Sequence, residues 1–191
     1  MNVLVIPEDF RKDQYILKPI IEAMLTEVGK PRSKVVVCKD PRLGGISQAL
    51  NKERIEEIIN RYKGMVDLFL LCVDRDGVNG RQTRLRELEL QANDLLPEDR
   101  CFLAENAWQE IEVWALAGLD LPRDWSWQDV RAEPNPKERY FEPIAKTRGL
   151  LEGPGEGRKT LGIEAARRYD RIRQLCPEDI QTMENRIKDW L

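Results

Sequence analysis

The run Met65–Val73, M-V-D-L-F-L-L-C-V, constrains the fold more than any other stretch of this chain. It is apolar at nearly every position and shows no two-residue alternation. A strand with one wet face would alternate, so this one needs cover on both faces. That cover is what helices provide at the centre of a parallel sheet. The run is far too short to cross a bilayer, which takes about 18 to 20 residues. It leads directly into Asp74-Arg75-Asp76-Gly77, a polar turn in which glycine permits a sharp change of direction.

Around this strand the chain alternates two periodicities. Residues 2–6 read as a short buried strand. Residues 13–28 place apolar side chains at helical spacing and stop at Gly29 before Pro31. Residues 34–38 (K-V-V-V-C) are a second strand. Gly44-Gly45 marks a loop, and Ser47 is the expected cap of a helix running to Lys63. Residues 81–93 read as a helix, 101–104 as a fourth strand and 108–116 as a further helix. Strands separated by helices predict an α/β fold, with about four parallel strands between helices. This α/β domain is expected to occupy residues 1–117. Residues 118–191 form a C-terminal helical appendage packed on it as one structural unit. The appendage holds an irregular Trp- and Pro-rich segment to Pro143, a glycine-rich loop over 149–162 read as mobile, and two helices, 160–175 and 177–191.

Composition narrows the chemistry. The chain of 191 residues has no histidine. No Ser-His-Asp or Cys-His nucleophile and no imidazole metal site can be built from it. Acid–base or metal chemistry falls to carboxylates, lysine, tyrosine or cysteine. With 31 basic and 34 acidic side chains the net charge is −3, which speaks against a non-specific polybasic nucleic-acid binder. The four cysteines are widely spaced with no C-x-x-C pair, as expected of buried, reduced thiols in a cytoplasmic protein. No signal peptide or membrane segment is expected.

The carboxylates fall where an open α/β sheet collects functional groups, outside the carboxyl ends of its strands. Glu8 and Asp9 follow the first strand, Asp40 the second, Asp74 and Asp76 the third and Glu105 the fourth. Glu110 and Glu112 lie on the next helix. Packed carboxylates repel one another unless a cation neutralises them. Oxygen ligands alone favour Mg2+, Mn2+ or Ca2+, and such an ion can activate water and stabilise charge on a phosphodiester. The plainer reading is that Asp and Glu cap helices at strand ends and stay solvated.

Glu8 after the first strand and Asp74-x-Asp76 after the third resemble the Toprim domain of topoisomerases, primases and overcoming-lysogenization-defect nucleases. Within that group the chain looks most similar to domain-of-unknown-function family 4276. The likeness rests on A-E-N-A-W-Q-E-I-E-V-W-A-L-A-G (104–118), N-P-K-E-R (135–139) and the ending from Lys159 through C-P-E-D-I (176–180). It implies a Toprim-like four-stranded sheet, with Glu8 as general acid/base and Asp74 and Asp76 holding Mg2+ or Mn2+. Glu110 or Glu112 would lie near the same edge. Toprim motifs usually carry glycine after the glutamate; here Asp9 follows Glu8, and Pro7 precedes it. The family further implies an ATPase partner in mobile or defence-related loci.

Beyond the acids, Lys146, Arg148, Arg158 and Lys159 flank the glycine-rich loop, where they could hold a phosphate backbone or simply stay solvated. Arg81, Arg84 and Arg86 have the same two readings. Trp108 and Trp114 are expected on one helix but on different faces. Trp125 and Trp127 are expected to pack the appendage. Three functions follow: a Mg2+-dependent nuclease or related phosphotransfer protein acting on nucleic acid, a non-catalytic Toprim-like subunit of an ATPase complex, or a small-molecule phosphohydrolase. An oligomer is compatible with each.

Overall fold

A computed structural model describes residues 1–191. Four parallel strands form one sheet: β1 (Asn2–Pro7), β2 (Lys34–Val37), β3 (Leu68–Val73) and β4 (Cys101–Asn106), in the order β2-β1-β3-β4. β1 pairs with β2 from Asn2↔Lys34 to Val5↔Val37, and with β3 from Val3↔Leu68 to Pro7↔Cys72. All six residues of β3 are buried, as its unbroken apolar run requires. The strand is shorter than expected: Met65 lies outside it and is exposed. β2 is an edge strand, and its alternating burial leaves Val36 in solvent.

Helices cover both faces. Leu4, Ile6, Phe69, Leu71 and Val73 pack against α3 (Lys52–Tyr62) and α4 (Arg81–Asn93). Val3, Val5, Leu68, Leu70 and Cys72 face the other way, onto α1 (Phe10–Glu27) and the C-terminal helices. The helix expected over 47–63 is divided. A single turn, α2 (Ile46–Ala49), precedes α3, because Asn51 caps a new helix by accepting from the Arg54 amide at 2.9 Å. α5 spans Glu112–Gly118, later than expected.

The C-terminal part is more regular than its composition suggests. It contains α6 (Trp127–Ala132), a π-turn over Lys137–Phe141, α7 (Glu142–Thr147), α8 (Arg158–Ala166), α9 (Tyr169–Leu175), a second π-turn over Pro177–Gln181 and α10 (Thr182–Trp190). Of the two long helices expected here, the first is broken between α8 and α9, and the second is continuous from Pro177 to Trp190 with its first turn in π geometry. The glycine-rich stretch is closely packed. A Cβ on Gly162 would meet the Tyr15 carbonyl oxygen at 2.4 Å, and one on Gly155 would meet the Tyr15 ring at 2.5 Å. Glycine therefore lets α8 lie against α1. Trp125 and Trp127 pack this part as expected: Trp125 meets Tyr140 edge-on at 4.8 Å, and Trp127 donates its indole N–H to the Leu175 carbonyl. One apolar core runs from Val3 on the sheet to Ile187 on α10, across residues 117 and 118. All four cysteines are free and buried, and no helix is long and apolar enough to cross a membrane.

Candidate functional site

The strand order creates a switch point. From β1 the chain goes first to β2 on one side, then to β3 and β4 on the other. The crevice at the carboxyl ends of β1 and β3 is where open α/β sheets bind ligands. Glu8 leaves β1 there and Asp74 leaves β3, and the Asp74 amide lies 3.4 Å from Glu8 Oε2.

Two further carboxylates join them. Asp9 caps α1, accepting from the Arg11 amide at 2.8 Å. One turn later Asp13 accepts from the Asp9 amide at 2.9 Å and faces the crevice. Glu112, at the start of α5, comes from the far side. Burial pushes Asp13 up to about 7, and repulsion from Glu112, Asp9 and Glu8 adds to it. Burial also raises Asp74 well above the usual carboxylate range, with Glu112, Asp13 and Glu8 contributing repulsion. Glu8 is raised as well, by burial and, less, by Asp76. Glu8, Asp13, Asp74 and Glu112 are thus one electrostatic cluster.

Each member spends one oxygen on an internal contact. Asp74 Oδ1 accepts from the Ile111 amide at 2.8 Å, Asp13 Oδ2 from Asp9, Glu8 Oε2 from Asp74 and Glu112 Oε1 from Arg158. None of the remaining oxygens is a buried atom lacking a partner. In donor chemistry the set suits a hard divalent cation. In geometry it does not yet form a ligand shell, since no three acidic or thiol side chains are grouped to hold an ion.

The other predicted residues take different places. Asp76 adopts a left-handed backbone (φ 52°) and lies 3.6 Å from Arg81, and its charge still acts on Glu8. Gln109 holds this turn. Its carbonyl accepts from the Arg75 and Asp76 amides, and its side-chain oxygen accepts from the Gly77 amide at 3.1 Å. Glu110 accepts from the Lys137 amide at 2.9 Å, and burial raises it to about 7. Glu105 lies apart, tied to Arg86 and Arg186 at 2.5 and 2.6 Å. Lys146 and Lys159 are exposed. Arg158 is not: it is 1% exposed and bound to Glu112, Glu156 and the Gly155 carbonyl, so it offers no free donor to a phosphate backbone. Arg84 and Arg86 are likewise paired with acids of the same chain.

Trp108 precedes α5 instead of lying on it. Its amide and the Trp114 indole N–H both donate to Asp179 Oδ2, at 2.9 and 2.7 Å, and Arg131 adds two more hydrogen bonds to that carboxylate. Arg75 stacks on the Trp108 ring at 4.3 Å. Asp13, Gln109 and Asp179 are not singled out by strand-end reasoning. Asp13 alone leaves a trace in the sequence: it sits one turn into the helix that follows the Glu8 strand, and the first turn of such a helix lies at the carboxyl end of the sheet.

Comparison with protein-family models, curated proteins and solved structures finds no significant match to this chain.

Proposed function

We propose that the crevice between β1 and β3 binds Mg2+ or Mn2+ and that the protein acts there on a phosphodiester of nucleic acid. The observation carrying this reading is the crowding of Glu8, Asp13 and Asp74 at the sheet's switch point. All three are held above their ordinary pKa by burial and mutual repulsion. Such excess negative charge is what a cation relieves. Asp74 would hold the ion, with Asp76 or Asp13 completing the oxygen set and Glu8 left free of it. A bound divalent cation supplies Lewis-acid stabilisation of phosphoryl charge. Glu8, whose pKa burial raises, would then serve as general acid/base. The test is calorimetric titration with Mn2+ followed by incubation with DNA and RNA in Mg2+ or Mn2+. Binding and cleavage that Asp74→Asn abolishes support the reading; intact substrates and no heat from the wild type overturn it.

A second reading is favoured by one specific observation. Glu112 is already neutralised by Arg158, and the remaining carboxylates do not converge on a point. That arrangement suits a non-catalytic Toprim-like subunit of an ATPase-containing complex, in which the cluster serves folding or regulation. Absence of Mn2+ heat together with a stable ATPase partner in a pull-down would favour it.

A further inference from the structure

A groove of about 760 Å³ opens beside Glu8, between the β1–α1 turn and the loop entering α2. Its walls carry Arg11, Arg42 and Arg54 together with Phe10, Gln48 and the acids Glu8 and Asp9. The cations differ from most others in the chain. Arg81, Arg84, Arg86, Arg131, Arg158 and Arg186 all lie within 4.0 Å of a carboxylate oxygen. Arg11 and Arg42 are exposed and form no such pair, and neither does Lys39 beside the groove. Instead, Lys39 and Arg42 lie over the Phe10 ring, 5.5 and 5.8 Å from its centroid. An aromatic face holds a cation in place without cancelling its charge, as a carboxylate would. Positions with fixed but uncompensated positive charge are suited to an anion.

The number of cations and their origin favour a chain of anions over a single one. The cations come from three separate segments, α1, the β2–α2 loop and α3, and Glu8 lines the same cleft. We propose that this groove binds the phosphodiester backbone of a nucleic-acid strand through Arg11, Lys39 and Arg42, and guides it to the Glu8–Asp74 crevice. This rests on the reading of that crevice as a phosphodiester site. The strand enters from the β2 side, and not past Lys146 and Lys159, the cations that the sequence suggested. Arg54 contributes less, because Glu57 engages it at 2.8 Å.

The test is fluorescence anisotropy of a labelled single-stranded 20-mer over a range of salt concentrations, with a mononucleotide as competitor. Arg42→Ala and Arg11→Ala should each weaken binding several-fold. Each should also flatten the plot of log affinity against log salt by about 0.7, the slope that one neutralised phosphate contributes on a single strand. Lys146→Ala and Lys159→Ala should leave both unchanged. The inference is overturned if the wild type does not bind the 20-mer, or if only the Lys146 and Lys159 variants bind more weakly. It is also overturned if the mononucleotide competes as well as the 20-mer. Mn2+ calorimetry on the same samples reports on the crevice separately: heat retained in Arg42→Ala but absent in Asp74→Asn leaves the crevice reading standing whatever the groove does.

Discussion

Arg158 lays its guanidinium on Glu112, 46 residues earlier in the chain, and both side chains are almost wholly out of water. The pair joins the first turns of α8 and α5 directly behind the carboxylate cluster. Removing one partner takes the main countercharge from the other's buried charge, which typically costs about 3 to 5 kcal/mol. Glu112→Ala and Arg158→Ala are each expected to lower the urea midpoint by that equivalent. The double variant Glu112→Leu/Arg158→Met should recover most of the loss, since no lone charge remains. Equal destabilisation by the double variant would show that the pair matters by shape and not by charge.

Asp13 makes stability depend on pH. Its pKa rises from an ordinary 3.8 to about 7 on folding, so the folded chain holds a proton that the unfolded chain has already released. Its contribution is complete below about pH 4 and disappears as pH rises through 7. Asp13→Asn keeps an acceptor for the Asp9 amide and removes the titration. The variant should gain about 4 kcal/mol over wild type at pH 8 in EDTA, and little at pH 4. Urea denaturation at four pH values between 4 and 8 measures this. Parallel curves for the two proteins would refute it.

Asp179 ties together Trp108, Trp114 and Arg131. Asp179→Ala strands a buried indole N–H and a mostly buried guanidinium, at a cost of about 3 kcal/mol. The expected result is a drop in Tm of several degrees with a red shift of Trp114 fluorescence. Asp179→Asn should lose less, because one side-chain oxygen still accepts.

The glycines at the helix crossings should tolerate no side chain. A Cβ on Gly118 would lie 2.6 Å from the Ala165 backbone, and one on Gly162 would lie 2.4 Å from the Tyr15 carbonyl oxygen. Both obstacles are backbone and cannot swing aside. Gly118→Ala and Gly162→Ala are expected to destabilise by about 1 to 3 kcal/mol, against the gain alanine normally brings inside a helix. Thermal unfolding of the two variants beside Gly64→Ala, where nothing lies within 4 Å, supplies the comparison.

Much of the candidate site is legible in the sequence because strand ends are legible. Glu8 and Asp74 follow apolar runs that can only be buried strands, and parallel strands put their carboxyl ends together. Asp76 sits in a left-handed turn beside Arg81, and nothing in D-R-D-G announces that conformation. Glu105 obeys the same strand-end rule, yet it sits on edge strand β4 beside Arg86 and Arg186. Arg158 resembles a surface cation because its glycine-rich neighbours resemble a mobile loop. Those glycines are there for close packing against Tyr15 and Ala145.

The amino-acid order by itself determined the α/β class, the parallel strands and the acids at their ends, because periodicity and burial are local properties of a few neighbouring residues. Only the tertiary structure decided which charges meet. Whether an arginine is a free cation or half of a buried pair depends on what lies opposite it across the fold. Glu112 opposite Arg158 removes one cation from the surface, and Phe10 beneath Arg42 leaves another available. The same side chain can therefore close a core or open a groove, and that choice is made by contacts between residues far apart in the chain.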